Sequence, residues 1–404
     1  MRDQQGLENT GGVPMQQSGQ RLVSLDAYRG LIMLFMASGG LGLAQIAKQH
    51  PDSQAWQWIA YHTSHAAWVG GGAWDMIQPS FMFMVGMAVP FSLARRIAEG
   101  QTVTGRLVHA AWRAAVLVAI GVFLATGTKK QPEYIFVNVL AQIGLGYVFL
   151  VGLAGRGWRL QAAAMASIAV ACWAVFALHP LPGPDVDLAG VGVTPELARE
   201  AVLPGFFAHW NMNTNAAAEF DRWFLNLFPR ETPFVFNAGG YQTLNFIPSL
   251  ITMILGLMAG ERLRGAGTPP EKLRWLLAAG GACLAAGLIA GVTCCPIVKR
   301  IWTPSWAVWS GGVSLWLVAA FYWAIDVRGW RSWAWPLVVV GLNSIAIYLA
   351  HQLLAGWIKS TAKTWLGAAT FAGAYGVVWQ NLVVLAVLWL WCCWLYRRSI
   401  FLKI

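Results

Sequence analysis

Charge is what this chain has least of. Only 11% of its 404 residues are Asp, Glu, Lys or Arg, against 57% hydrophobic, and so few polar side chains cannot clothe a soluble globule of this size. Carboxylates are the scarcer sign, 17 against 28 Lys and Arg. Those nearest the apolar runs, Asp26, Asp75, Glu99, Glu261 and Asp326, fall at the ends of those runs. A proton-coupled carrier needs acids near mid-bilayer, and none is expected there. The six cysteines include the vicinal pairs Cys294/Cys295 and Cys392/Cys393, a spacing that matches neither a disulfide framework nor a zinc motif, so they read as packing residues. The first 28 residues lack the apolar core of a cleavable leader. They read as a cytoplasmic tail, 1–28, ahead of one membrane domain, 29–404. No internal repeat is evident, and with it goes the main sequence sign of an inverted-repeat transporter.

What is abundant is apolar sequence in runs long enough to cross about 30 Å of hydrocarbon. The expected spans are 30–47, 76–97, 107–126, 136–155, 160–179, 243–262, 274–292, 307–325, 334–356 and 373–396. The fold class is therefore all-α, a polytopic bundle of about ten transmembrane helices with the bilayer as its main partner. Twenty-four Trp and 18 Pro suit interfacial belts and broken helices.

The net charge of +11 would suit nucleic acid, but its distribution follows the membrane instead. Alternating spans bring Arg21, Arg29, Arg95, Arg96, Arg106, Arg156, Arg159, Arg262, Arg264, Lys272, Arg274, Arg328, Arg331, Arg397, Arg398 and Lys403 to one side. That side is expected to be cytoplasmic. The short loops opposite hold only Lys48, Lys129, Lys130, Lys299, Arg300, Lys359 and Lys363. The bias predicts both termini inside and residues 61–75 outside, in a bacterial inner (plasma) membrane. A long outer loop at about 180–242 mixes Trp, Asn and Asp as a sugar-binding surface does, and reads equally well as a Pro-rich solvated linker.

Span interiors offer amides and hydroxyls: Asn138 and Gln142, Asn245 and Ser249, Asn343 and Ser344, Gln380 and Asn381. They suit either a polar cavity or simple interhelical hydrogen bonding. In RLVSLDAYRG, residues 21–30, Asp26 and Arg29 share a helix face. Asp26 caps and Arg29 snorkels on one reading; on the other, Arg29 and its neighbours hold the phosphates of a cytoplasmic nucleotide or coenzyme A. His65 precedes Asp75 by ten residues across VGGGAW, whose glycines allow the chain to fold back. A His–Asp pair there would remove a proton near neutral pH; otherwise Asp75 caps a helix and His65 is interfacial. His62 and His65 have no second cluster to complete a zinc site, so no metal is expected. In VVVGLNSIAIYLAHQLL, residues 338–354, Asn343 and Ser344 are expected near mid-membrane, with His351 outward and able to approach His65.

Three stretches in order, RLVSLDAYRG, HAAWVGGGAWDMIQPSFMFMVGMAVPFS and PLVVVGLNSIAIYLAHQLL, together resemble the transmembrane heparan-α-glucosaminide N-acetyltransferase family. VNVLAQIGLGY and LITMILGLMAGERL fit it more loosely. The resemblance implies transfer of acetyl from cytoplasmic acetyl-CoA to the amine of an amino sugar or glycan across the membrane. It implies that His65 is the essential histidine, with Asp75 as its orienting or site-shaping acid. Cofactor contacts would come from Arg29, Asp26, Asn343, Ser344 and Gln142, and acceptor contacts from His351 and Asn245. His65 acts either as general base or as a nucleophile that carries the acetyl group, and a homodimer rests on family analogy alone. Two departures stand out: Gln142 replaces a common arginine, and NAGGYQTLNFIPS replaces an acidic segment. The rival class is a transporter of sugar-linked or amphipathic solutes.

Overall fold

A computed structural model describes residues 22–183 and 185–402 of the chain. Residues 1–21 of the expected tail lie outside them. Its remainder is already helix, because α1 runs Val23–Ala37. The first N–H groups of a helix need acceptors from elsewhere. Here Asp326, from a π-turn at Tyr322–Val327, supplies both of its oxygens to the backbone N–H groups of Val23 and Ser24 at 3.3 Å each. The tail thus stops short of its expected boundary at 28.

The first expected span is broken. Gly39, Gly40 and Gly42 take positive φ angles of 57°, 60° and 69°, which end α1 before the short α2, Leu43–Ala47, and α3, Gln54–Thr63. There follow α4 (Ile77–Ala98), α5 (Val103–Thr126), α6 (Val139–Leu153) and α7 (Trp158–Ala177). The long loop carries α8, Pro195–Ala201, and α9, Ala216–Phe224. Then come α10 (Phe246–Arg264), α11 (Pro269–Thr293), α12 (Pro304–Phe321), α13 (Trp335–Gly341), α14 (Ser344–Leu366) and α15 (Gly376–Arg397). No strand occurs among the described residues; two isolated bridges join Val69 and Gly70 to Val298.

The chain is an all-α polytopic membrane protein. Eight helices among the described residues are long and apolar enough to cross a bilayer, and nine if the bent pair 332–366 counts as one span. The remaining expected span, 136–155, is the apolar α6, only 15 residues, or about 22 Å at 1.5 Å per residue. The late span at 334–356 is a seven-residue α13 bent 67° from α14. Asn343 and Ser344 therefore sit at a break, and Asn343 bonds to the chain just beyond α15 instead of lying mid-span: its amide donates to the Ile400 carbonyl at 3.1 Å and accepts from the Leu402 N–H at 3.0 Å.

Burial ranks the helices. The span around α10 has 78% of its apolar window buried and that around α4 61%, against 11% for α7, so α4 and α10 form the centre and α7 faces lipid. Lipid tails supply no hydrophobic drive between helices, so close backbone approach must do the packing. Gly86 of α4 lies against the Met253 carbonyl and Gly256 of α10 against that of Phe83, leaving no room for a side chain at either position. Among the described residues, Arg113 sits well inside the α5 span and corrects the reading of the span interiors as amides and hydroxyls alone.

The loop at 178–242 is folded, which excludes the solvated-linker reading. Trp210 and Met212 from this loop join Trp68, Phe176, Val298 and Ile301 in a second apolar core. Trp68 Nε1 donates to the Trp210 carbonyl at 3.0 Å. Asn211, Asn213 and Asn215 are buried and bond backbone groups, so these amides hold the cap together and are not a surface for sugar.

Candidate active site

The residues after α3 cannot continue as helix, because Ser64 is extended and Gly70 takes φ 93°. Residues 64–73 fold back and tie to the segment before α12, the Gly70 N–H donating to the Ile297 carbonyl at 2.8 Å. Gly72 presses on the Tyr61 carbonyl where any Cβ would collide. This close approach aims its N–H at Asp75. Asp75 is 1% exposed, and its Oδ2 accepts from the N–H groups of Gly72 at 3.1 Å and Ala66 at 3.0 Å. Oδ1 lies 2.7 Å from His65 Nδ1.

A buried carboxylate whose second oxygen holds two backbone donors can only accept from the imidazole, so the proton belongs on Nδ1 and Nε2 keeps a free lone pair. Lys299 Nζ also approaches Nδ1, at 3.1 Å. An N–H cannot accept a hydrogen bond, so the shorter carboxylate contact decides the tautomer. The ammonium instead lies 3.5 Å from Asp75 Oδ1 and donates to the Tyr241 hydroxyl at 3.1 Å. Arg300 donates to the carbonyls of Ala66 at 3.2 Å and Gly239 at 2.7 Å, clamping the His65 loop to the segment that carries Tyr241. The His65 side chain keeps 40% of its surface, flanked by the rings of Trp74 and Tyr241 at 6.4 Å each. Partial burial, helped by the charges of Lys299 and Arg300, holds the His65 pKa below its ordinary value even though Asp75 pulls it upward. The neutral imidazole is therefore the resting form near pH 7.

The expected His65–Asp75 pair is thus brought together. His62 serves the loop, its Nδ1 accepting from the Ala73 N–H at 3.2 Å. Asn245 lies beside the site, donating to the Arg300 carbonyl at 2.8 Å. Gln142 is wholly buried at the start of α6, its amide directed to the carbonyls of Phe136 at 2.8 Å, Thr243 at 3.3 Å and Gln242 at 3.4 Å. It staples α6 to the residue pair just after Tyr241. His351 makes no hydrogen bond or ring contact with His65, and its Nδ1 is buried without a partner.

Asp26 and Arg29 lie apart from the histidine along α1. Arg29 is 3.6 Å from Asp26 and reaches the Gly341 carbonyl at 3.5 Å. Six residues on, about 9 Å along the helix, Phe35 packs edge-on against Trp74 at 5.1 Å, the ring next to His65. Around Asp26 opens a cavity of about 520 Å³ lined by Val23, Val338, Leu342, Tyr396 and Arg397 among others. Ser344 lines no part of it, and Asn343 is spent on the C-terminal residues 400–402.

Lys299, Arg300, Tyr241 and Trp74 are the site residues the sequence reading passed over. One signal for them existed: Lys299 and Arg300 are basic residues in a short loop on the side where the charge bias expects few.

No family model matches the chain. Among curated proteins it is similar to the heparan-alpha-glucosaminide N-acetyltransferase of Mus musculus, 23% identical over 433 residues covering 96% of this chain and 61% of that protein. It is also similar to the Homo sapiens protein of the same name, 23% identical over 422 residues covering 95% and 60%. The chain spans about three fifths of the length of the curated relatives it matches. The similarity is distant and supports a relationship at family level.

Proposed function

We propose that the protein is a transmembrane acyltransferase that moves acetyl from acetyl-CoA to the amine of an extracytoplasmic amino sugar or glycan, with the helical bundle that begins at Val23 as its working unit. The observation that carries this reading is the 2.7 Å contact of His65 Nδ1 with a buried Asp75. It leaves Nε2 as a base on a side chain that keeps 40% of its surface, beside two aromatic rings. The naming of both distant relatives as glucosaminide N-acetyltransferases supports the same chemistry.

His65 Nε2 takes the proton from the attacking amine as the N–C bond forms and the thioester C–S bond breaks, and the imidazolium returns that proton to the departing coenzyme A thiolate. Asp75 holds the ring in that tautomer and stabilises the imidazolium once the proton arrives. Trp74 and Tyr241 offer faces on which a pyranose can lie. Bound acetyl-CoA supplies the activated acyl group; Arg397, which lines the 520 Å³ cavity, and Arg29, paired with the Asp26 that also lines it, fit its phosphates by charge. Gln142 has no part in that assignment, since its amide is committed to backbone carbonyls far along the chain from Arg29. The charge bias supports a reading in which the Arg29 end faces the cytoplasm and His65 the outside, with a bacterial inner membrane as the proposed location. A cysteine at position 65 labelled from outside, with one at 96 protected, tests that orientation; the reverse pattern overturns it.

The chemistry is tested by His65→Gln in purified protein, assayed for acetyl transfer to glucosamine and related amino sugars. Transfer should vanish while acetyl-CoA binding persists. Unchanged transfer would remove His65 from the mechanism, and loss of binding and thermal stability together would make it structural.

A further inference from the structure

Where α4 closes and α5 opens, three arginines gather without a carboxylate. Arg106, His109 and Arg113 recur on one face of α5, and Arg96 crosses from α4 to bring its Nη2 2.6 Å from His109 Nε2. A nitrogen that accepts from a guanidinium belongs to a neutral ring, so His109 offsets none of the charge. Arg96 has one further bond, to the amide oxygen of Gln101 at 3.2 Å. Arg113 donates to the Tyr147 hydroxyl of α6 at 3.0 Å and lies 4.8 Å over that ring, with its Nε buried and unpartnered. The nearby Glu99 is paired with Arg95 at 3.5 Å. No carboxylate among the described residues lies in ion-pair range of Arg96, Arg106 or Arg113.

The surroundings are hydrocarbon. Val103, Val108 and Trp112 of α5 are exposed, and the groove beside the arginines is walled by Val89, Leu93, Ala110 and Val151. Its enclosed space, about 20 Å³, holds little more than one water, so a ligand lies along it and not inside it. Arg113 sits seven residues past Arg106, about 10 Å deeper along the helix, at a depth where a charge without a counter-ion is costly.

We infer that this groove binds the headgroup of an anionic phospholipid, its phosphate on Arg96 and Arg106 with Arg113 beneath and its acyl chains along the apolar walls. Basic pockets between membrane helices commonly take such lipids. A soluble phosphate compound shares the anionic chemistry but has no use for walls that open to lipid.

The test is retention of phosphatidylglycerol by the full chain in mixed phosphatidylcholine and phosphatidylglycerol nanodiscs, read by native mass spectrometry. Arg96→Gln and Arg106→Gln should each weaken retention about fivefold and together about 25-fold, with phosphatidylcholine retention unchanged. The exposed pair Arg156→Gln/Arg159→Gln, in the next loop at the same end of the bundle, should leave retention as it was. The Arg106 side chain makes no hydrogen bond or ion pair among the described residues, so the single Arg106→Gln variant is informative even where the double variant fails to fold. Equal retention in wild type and Arg106→Gln would overturn the site, as would equal loss in the Arg156/Arg159 control. Displacement of phosphatidylglycerol from the wild type by coenzyme A or inorganic phosphate would assign the groove to a soluble phosphate instead.

Discussion

Asp75→Asn separates the chemistry of the histidine from the architecture around it. The carboxamide has one acceptor, and two backbone N–H groups already claim an oxygen at that position, at 3.0 and 3.1 Å. The asparagine oxygen therefore stays with Ala66 and Gly72, and its NH₂ faces His65 Nδ1. A donor there forces Nδ1 to accept, which moves the ring proton to Nε2 and removes the base. A positioned general base is worth roughly 10²–10⁴-fold in rate, so kcat for acetyl transfer should fall by that much with little change in KM for acetyl-CoA. Stability should fall as well. Lys299 is 4% exposed and loses the carboxylate 3.5 Å away; removing one partner of a buried pair costs about 3–5 kcal/mol, and the Tyr241 hydroxyl places this case at the low end. Adding Lys299→Met should restore thermal stability and leave the rate low. The readings are initial rates at saturating acetyl-CoA and thermal unfolding in detergent. A folded Asp75→Asn enzyme with near-normal kcat would refute the tautomer argument.

Three further outcomes follow from other parts of the structure. A base with a lowered pKa stays neutral to lower pH, so the acidic limb of kcat/KM should fall below the ordinary histidine value of about 6.5, and Lys299→Met, which removes a charge that lowers it, should move the limb upward. Arg29→Ala should weaken acetyl-CoA binding, measured by calorimetry, far more than it lowers kcat at saturation; equal affinity would sink that assignment. Burial raises the Asp221 carboxyl in the outer cap from 3.8 to about 6 despite the Thr243 N–H at 2.9 Å. A raised acid favours the fold while protonated, so stability is lost as pH climbs through that interval, by roughly 3 kcal/mol at most. Asp221→Asn should therefore raise the melting temperature at pH 8 relative to wild type and flatten its dependence on pH between 4 and 7.

Hydrophobic run length located the long apolar helices, because the bilayer demands it, and the His65–Asp75 pair was legible because the three glycines between them allow the chain to fold back. What escaped has identifiable causes. The break at Gly39–Gly42 and the bend at Asn343 lie inside runs whose averaged hydropathy stays high enough to cross a bilayer, and hydropathy carries no backbone angle. Lys299 and Tyr241 reach His65 from segments more than 170 residues away in sequence, and the packing of the outer cap that aligns them leaves no local pattern. Gln142 and Asn343 looked like cavity residues by type. Only the structure shows the Gln142 NH₂ spent on backbone carbonyls and both halves of the Asn343 amide spent on residues 400 and 402. Arg113 sat within an expected span and stayed hidden because the polar residues there were read as amides and hydroxyls.

Transfer across the membrane at His65 is tested most directly by following radiolabelled acetyl from acetyl-CoA supplied on the Arg29 side of sealed vesicles to glucosamine supplied on the other, with His65→Gln in parallel. Labelled N-acetylglucosamine should appear on the glucosamine side with wild type and not with the variant. Equal labelling by the two proteins, or product confined to the acetyl-CoA side, would contradict it.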